Sequence, residues 1–369
     1  MNGLDRMRIL MTTDAVGGVW SYATTLSAAL ASFGAEIHLV TMGPAARPDQ
    51  RAMLRGTGIH LIETGLALEW QDPDALDLEH ARGTLLALER QIRPDLVHLN
   101  SFREATFAWC APAVVVAHSC VTSWAHACND TGFLSESRWR RYGRLVADGL
   151  ASASVWAGPT RAFADTIARI YTPPQPGLAI WNGVAKTTSH IGPKENFILT
   201  AGRMWDRAKN LGALAAVADD LALPIHVAGA HTEADDCRPV RLLGELPQTE
   251  LHRWMSRAAI FASTALYEPF GLSVLEAAAH GCALVLADIP TFRELWQDAA
   301  VFVVPDDIAA LRSTLNGIAH DHQARSVLQR SAKRRARRYT LQKMAARYSD
   351  LYLGLTGRQS NHHLAEACA

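Results

Sequence analysis

The chain has 369 residues, 49% of them hydrophobic and 20% charged. That is the profile of a folded protein with real cores, and its length suggests two domains or one large one. Lys and Arg total 36, Asp and Glu total 36, and the formal net charge is zero, so no global field points to a nucleic acid and none is expected as a partner. No run approaches the roughly 20 apolar residues of a membrane span, and the first residues lack the charged-then-apolar order of a signal peptide. The 6 cysteines, Cys110, Cys120, Cys128, Cys237, Cys282 and Cys368, form no CxxC pair. Reduced thiols in a cytoplasmic protein, with no structural zinc, are the economical reading.

Taken in chain order, short apolar runs alternate with longer amphipathic ones. Arg8–Met11 reads as a strand, followed by a loop holding Gly17-Gly18 and a helix to about Phe33. Glu36–Thr41 and Ile59–Glu63 are strands, and Asp77–Ile92 is a helix closed by the Arg93-Pro94 step. Leu96–Leu99, Ala113–Ala117, Ser154–Trp156 and Leu178–Trp181 complete the first set of strands. A turn-rich stretch, Trp181–Asn196, carries the domain boundary near residue 190. The pattern then restarts, with strands at Phe197–Ala201, Ile225–Ala228, Leu242–Leu243 (weak), Ile260–Ala262, Ala283–Leu286 and Ala300–Val303. Helices are read at Leu211–Leu221, Glu250–Arg257 and Leu272–His280; Ile308–Leu355 is helical with a break near Tyr339-Thr340. Apolar strands separated by helices imply parallel sheets, whose ligands bind at the carboxyl ends of the strands. Two such sheets facing each other would share one cleft.

The densest chemical signal is Tyr267-Glu268-Pro269-Phe270-Gly271-Leu272-Ser273-Val274-Leu275-Glu276. Glu268 precedes a helix and Glu276 lies within it, so the two suit a long ligand touched at two places better than a glycosidase pair about 5 to 9.5 Å apart. The amides of Phe270, Gly271 and Leu272 at the helix start can meet an oxygen-rich ligand. Taken alone, the pair reads equally as a surface acid and a helix-face acid. Arg203 and Lys209 sit between a strand and the next helix, where they can neutralise a diphosphate and the charge it gains on leaving. Gly17 and Gly18 allow close backbone approach but form no GxGxxG, and a plain tight turn fits them as well. His118 follows a strand; by itself it reads as a loop histidine. Asn182-Gly183 is a turn signal. Asp72-Pro73-Asp74 raises the thought of a metal-binding DxD, but its place before a helix favours an acidic helix start. The basic runs Arg138–Arg141 and Lys333–Arg338 read as solvated helix faces, with a patch for anionic lipid or a polyanionic acceptor as the alternative; Trp139 makes the first run the better membrane candidate.

These residues together resemble a known group. Gly17-Gly18, His118, Asn182-Gly183-Val184, Gly202-Arg203 with Lys209-Asn210, and the EX7E element from Glu268 to Glu276 occur in the order of a family 4 retaining glycosyltransferase. The resemblance implies the GT-B fold: two Rossmann-like domains facing each other across a cleft. Residues 1–190 would form the acceptor side, joined by a crossing helix at about 340–356, and 191–339 the donor side. It implies that Arg203 and Lys209 hold the donor diphosphate and that Glu276 binds the ribose. Glu268 and the backbone of Phe270, Gly271 and Leu272 would contact the donor sugar, Gly17 and Gly18 would approach the donor from the opposite domain, and His118 would line the transferred sugar. His118 and Glu268 are then the catalytic candidates. No metal and no cofactor are implied, the nucleotide-sugar being a substrate. Attack from the face of departure, with the leaving phosphate taking the acceptor's proton, would explain why no general base stands out. Two departures, Gly281-Cys282-Ala283 and Ala277-Ala278-Ala279-His280, remove no donor-binding group.

The expected acceptor is a glycan, a lipid-linked sugar or a small molecule, in cell-surface polysaccharide or glycoconjugate synthesis, with peripheral contact at the inner membrane face left open. The loops at Asp72–Asp77 and Ser119–Ser137 are read as acceptor walls. The rivals are a sugar-nucleotide-binding protein without turnover and a GT-B epimerase. A phosphorylase lacks a recognisable lysine for pyridoxal phosphate, and a dehydrogenase lacks its glycine fingerprint.

Overall fold

The computed structural model describes residues 4–186, 192–230 and 239–358. The boundary position near residue 190, Cys237 and Cys368 lie outside the described residues.

The first sheet consists of β1 (Arg8–Asp14), β2 (Glu36–Met42), β3 (Ile59–Glu63), β4 (Leu96–Leu99), β5 (Ala113–Val116), β6 (Val155–Gly158) and β7 (Leu178–Ala179). All are parallel, in the order β3-β2-β1-β4-β5-β6-β7. The second consists of β8 (Glu195–Ala201), β9 (Ile225–Ala228), β10 (Arg241–Gly244), β11 (Ala258–Ser263), β12 (Ala283–Ala287) and β13 (Val301–Val303), parallel in the order β10-β9-β8-β11-β12-β13. Both are doubly wound, as expected. In each the order reverses beside the first strand, between β1 and β4 and between β8 and β11. Such a reversal leaves a crevice at the strands' carboxyl ends, because the connecting helices depart to opposite faces.

The strands read from continuous apolar runs because helices cover both faces of each sheet. Ala113–Val116 and Ala283–Ala287 are buried along their whole length. Helices were harder to read. Arg161–Tyr171, capped by the Thr160 hydroxyl, and Pro290–Trp296 were not foreseen. The Ser119–Ser137 stretch is no plain loop: it holds the Val121–Ala127 helix and a short turn of helix at Gly132–Ser135. The expected Leu178–Trp181 strand keeps only two residues, since Trp181 leaves the sheet for the second one.

The helical end of the chain divides into Ile308–His320, His322–Ala336 and Leu341–Thr356. The last crosses back to the first sheet, where Met344, Tyr348, Tyr352 and Leu353 join the core around the Gly18–Ser32 helix. The outgoing and returning passages are bonded together. Val184 N–H donates to Tyr339 O (3.2 Å), and Leu341 N–H donates to Val184 O (3.0 Å). A Cβ on Gly183 would lie 2.3 Å from Thr340 O. The Asn182-Gly183 step is therefore more than a turn: glycine is required because two chains touch there.

Candidate functional site

The two crevices face one another, and polar side chains occupy both. At the end of β1, Asp14 accepts the Val16 N–H (2.8 Å), and Gly17 begins the Gly18–Ser32 helix. A Cβ on Gly17 would stand 3.1 Å from the guanidinium of Arg203. The glycine thus lets a cation from the second sheet lie against the first helix's start. A Cβ on Gly18 would stand 3.9 Å from Leu272, an ordinary contact, and Leu272 packs into the cores of both sheets. Burial pushes the Asp14 carboxyl up, opposed by the Val16 amide and by Arg203's charge. Asp14 is thus an acidic neighbour of Arg203 that the sequence reading passed over. Its signal was available: a carboxylate at the carboxyl end of the first strand.

Arg203 follows β8, 42% exposed, with its guanidinium 3.6 Å from Asp206 and 5.5 Å from the Trp205 ring centroid. Asp206 also accepts from Ala208 N–H (2.9 Å) and, across the cleft, from Trp124 Nε1–H (2.9 Å). Lys209 ends the same loop. Its Nζ donates to Glu268 Oε2 at 2.6 Å, and both side chains are mostly buried. Glu268 follows β11 and its other oxygen accepts Gly271 N–H (3.1 Å). Gly271 adopts φ +85, a left-handed conformation that starts the Leu272–Ala279 helix, and a Cβ there would press on Phe292. Arg203, Lys209, Glu268 and Gly17 are therefore brought together, and Phe270 is buried in the core of the second sheet. Glu276 lies farther along the helix, 3.5 Å from His252 Nε2 and 3.4 Å from Gln248 Nε2.

On the opposite wall His118 sits just beyond β5. Its Nε2 is 2.8 Å from Asn100 Oδ1, and Tyr22 packs edge-on at 4.4 Å. Burial and neighbouring His98 hold its pKa down at about 3, so the ring is neutral. Tyr267 links the two walls. Its hydroxyl accepts Cys120 N–H (3.2 Å) and is 2.7 Å from Ser123 Oγ. A second link lies at the far side: Glu294 accepts the N–H groups of Arg161 (3.0 Å) and Ala162 (2.8 Å), and Trp181 Nε1–H (2.8 Å). An anionic side chain from one sheet's helix thus caps a helix of the other.

Asp72 belongs to a structural cluster. Its carboxylate accepts Leu76 N–H (2.8 Å) and Asp77 N–H (3.0 Å) and pairs with buried Arg103 at 2.9 Å. Arg103 also pairs with Glu104 at 2.9 Å. Trp139 is not a protruding anchor: it packs on Phe133 and Tyr142, leaving arginines on the exposed face. No helix among the described residues is long and apolar enough to cross a membrane.

Comparison with known proteins now decides the family. The family model "Glycosyltransferase Family 4" matches residues 16–187, and "Glycosyl transferases group 1" matches residues 186–335. The chain belongs to glycosyltransferase family 4. This glycosyltransferase is 25% identical to the glycogen synthase of Mycobacterium tuberculosis, over 89% of this chain and 90% of that one. Its fold is similar to sucrose-phosphate synthase from Thermosynechococcus elongatus, with a TM-score of 0.81, 16% identity, and 95% and 100% of the two chains covered. It is also similar to HepE from Anabaena solved with UDP-glucose, with a TM-score of 0.76, 16% identity and the same coverage. The GT-B architecture expected from the sequence is thereby shown.

Proposed function

We propose that this glycosyltransferase moves a sugar from a nucleotide-diphosphate donor to a hydroxyl of a glycan, lipid-linked or small-molecule acceptor, retaining the anomeric configuration and needing no metal. The observation that carries this reading is the meeting of Gly17, Arg203, Lys209 and Glu268 where the two crevices face each other. The glycogen synthase and UDP-glucose relatives support a nucleotide-sugar donor and a glycan acceptor. In this reading residues 191–339 form the donor side, and 1–190 with the 340–356 helix form the acceptor side. The site of action is the cytoplasm. The arginines of 138–141 would face any anionic membrane surface there, in cell-surface polysaccharide or glycoconjugate synthesis.

The chemistry follows from charge. In the resting site Lys209 is neutralised by Glu268. A diphosphate arriving beside Arg203 gives Lys209 a second anion to serve, and Glu268 becomes available to accept from sugar hydroxyls. Glu276 accepts from the ribose hydroxyls. Amides of Phe270, Gly271 and Leu272 and the backbone at Gly17 and Gly18 approach the phosphate and sugar. The bond from anomeric carbon to the β-phosphate oxygen breaks as the acceptor oxygen bonds on the same face, and the acceptor's proton passes to the leaving phosphate. Arg203 and Lys209 meet more charge in that transition state than in the bound donor, so they accelerate the step. Neutral His118 lines the sugar.

The first test is a thermal-shift screen against UDP, GDP, ADP, CMP and their sugar conjugates. A ligand at 100 times its Kd should stabilise the fold by about 2.7 kcal/mol. One nucleoside diphosphate should raise the midpoint, and Arg203→Ala should abolish the rise. Absence of a shift with every nucleotide, together with no nucleotide release in the presence of acceptors, would refute the reading. The anomeric configuration of the product, read by NMR, tests retention.

A further inference from the structure

The surroundings of His118 determine which of its nitrogens carries the proton. Asn100 follows β4 directly. Its side-chain Nδ2–H donates to Thr12 O (2.6 Å) and its backbone N–H to Thr12 Oγ1 (3.0 Å). Turning the amide over would set its oxygen against a carbonyl, so Oδ1 is held toward two imidazoles: His118 Nε2 at 2.8 Å and His98 Nε2 at 3.2 Å. An amide oxygen only accepts, so His118, whose Nε2 meets no other partner among the described residues, donates from Nε2; His98 Nε2 lies between the same oxygen and the Tyr22 hydroxyl at 3.4 Å. His98 Nδ1 is bonded to the Tyr352 hydroxyl at 2.5 Å, from the helix that crosses back. His118 is left with a bare Nδ1. That nitrogen has no hydrogen-bond partner among the described residues and is not one of the sealed, unpartnered atoms.

The titratable groups around this pair are Tyr22 on the Gly18–Ser32 helix, His98 on β4, and Tyr348 and Tyr352 on the Leu341–Thr356 helix. Burial holds His98 at about 4 and pushes all three tyrosines up. None of them carries charge at neutral pH to compete with the amide.

We propose that Asn100 is a positioning residue that locks His118 as the neutral Nε2–H tautomer, so that Nδ1 reads a sugar hydroxyl as a hydrogen-bond donor. This rests on the reading that His118 lines the transferred sugar. The consequence is specificity. The site takes a sugar whose group there donates a proton, and it disfavours a carboxylate or fluorine, whose lone pairs would face that of Nδ1.

The experiment begins with the unmodified protein labelled with ¹⁵N-histidine, His118 being assigned by its loss in His118→Gln. Long-range ¹H–¹⁵N spectra at neutral pH should show His118 protonated on Nε2 alone. An Nδ1–H tautomer or a charged ring would overturn the proposal, with no substrate involved. Asn100→Asp keeps an acceptor in place but adds charge, raising the pKa of His118. Its rate profile should gain an acid limb absent from the parent, as Nδ1 takes a proton and stops accepting, while the parent amide keeps the profile flat there. An Asn100→Asp protein with His118 titrating as in the parent would also overturn it. If the tautomer is as stated but no donor is ever consumed, the positioning stands and the transferase reading fails instead.

Discussion

Replacing Glu268 with glutamine is expected to tighten the binding of a nucleoside diphosphate while lowering sugar transfer. The opposite signs follow from the resting ion pair. Lys209 Nζ is 2.6 Å from Glu268 Oε2, and the side chains are 19% and 18% exposed. A diphosphate must approach that ammonium past a carboxylate. Exposed pairs are worth about 0.2–1 kcal/mol, and this pair is mostly buried, so removing the carboxylate's charge should strengthen diphosphate binding by roughly 5-fold or more. Lys209→Ala removes a charge-assisted contact worth about 1.5–3 kcal/mol, so it should weaken binding roughly 10- to 150-fold. Calorimetric titration of both variants with the nucleoside diphosphate found in the screen measures these terms, with circular dichroism as a check on the fold. Turnover with the sugar conjugate should fall in Glu268→Gln, because the amide replaces the acceptor for sugar hydroxyls. If Glu268→Gln weakens the diphosphate as Lys209→Ala does, the two residues do not exchange partners, and the assigned order of events is wrong.

Other perturbations probe the frame. Gly183→Ala places a methyl 2.3 Å from Thr340 O; overpacking of this kind costs about 1–3 kcal/mol, and an unchanged melting midpoint would show that the two passages separate freely. Tyr267→Phe removes the hydroxyl shared with Cys120 and Ser123 across the cleft; the KM for donor should rise several-fold with kcat little altered, and an equal loss in both would place Tyr267 in the chemistry instead. Chelator should leave turnover intact, and abolition would reopen the metal question. His98 titrates at about 4 in the fold, below the ordinary value of 6.5. The unfolded chain therefore binds the extra proton first, and stability should fall as pH drops from about 6.5 toward 4. His98→Gln should flatten that slope in pH-dependent melting, and an unchanged slope would assign it to other groups.

The sheets were legible because strands covered on both faces must be apolar throughout, and runs such as Ala113–Val116 show no alternation to confuse. Arg203 and Lys209 stand out in the sequence because cations between a strand and a helix have a chemical reason to be there, and the fold sets them near Gly17 and Glu268. The Ser137–Ser152 helix was seen only as a basic run: its buried stripe, Tyr142, Val146 and Leu150, is diluted by arginines. Residues whose meaning lies in a distant partner could not be read. Tyr267 meets Cys120 across 147 positions, Glu294 meets Ala162 across 132, and Asn100 acts only once β4 and β5 are adjacent. Asp14 carried a signal in its place at the end of the first strand, but its neighbour Arg203 appears only in the fold.

The bonded passages at Val184 and Tyr339–Leu341 have a kinetic consequence. Two bodies on one loose tether would lose orientational entropy each time they met over a substrate, and most encounters would be misaligned. A two-ply joint confines their relative motion largely to rotation about one axis. Each closure then brings the same two surfaces into register, so the effective concentration of one wall at the other is set by the joint and varies little with the substrate between them.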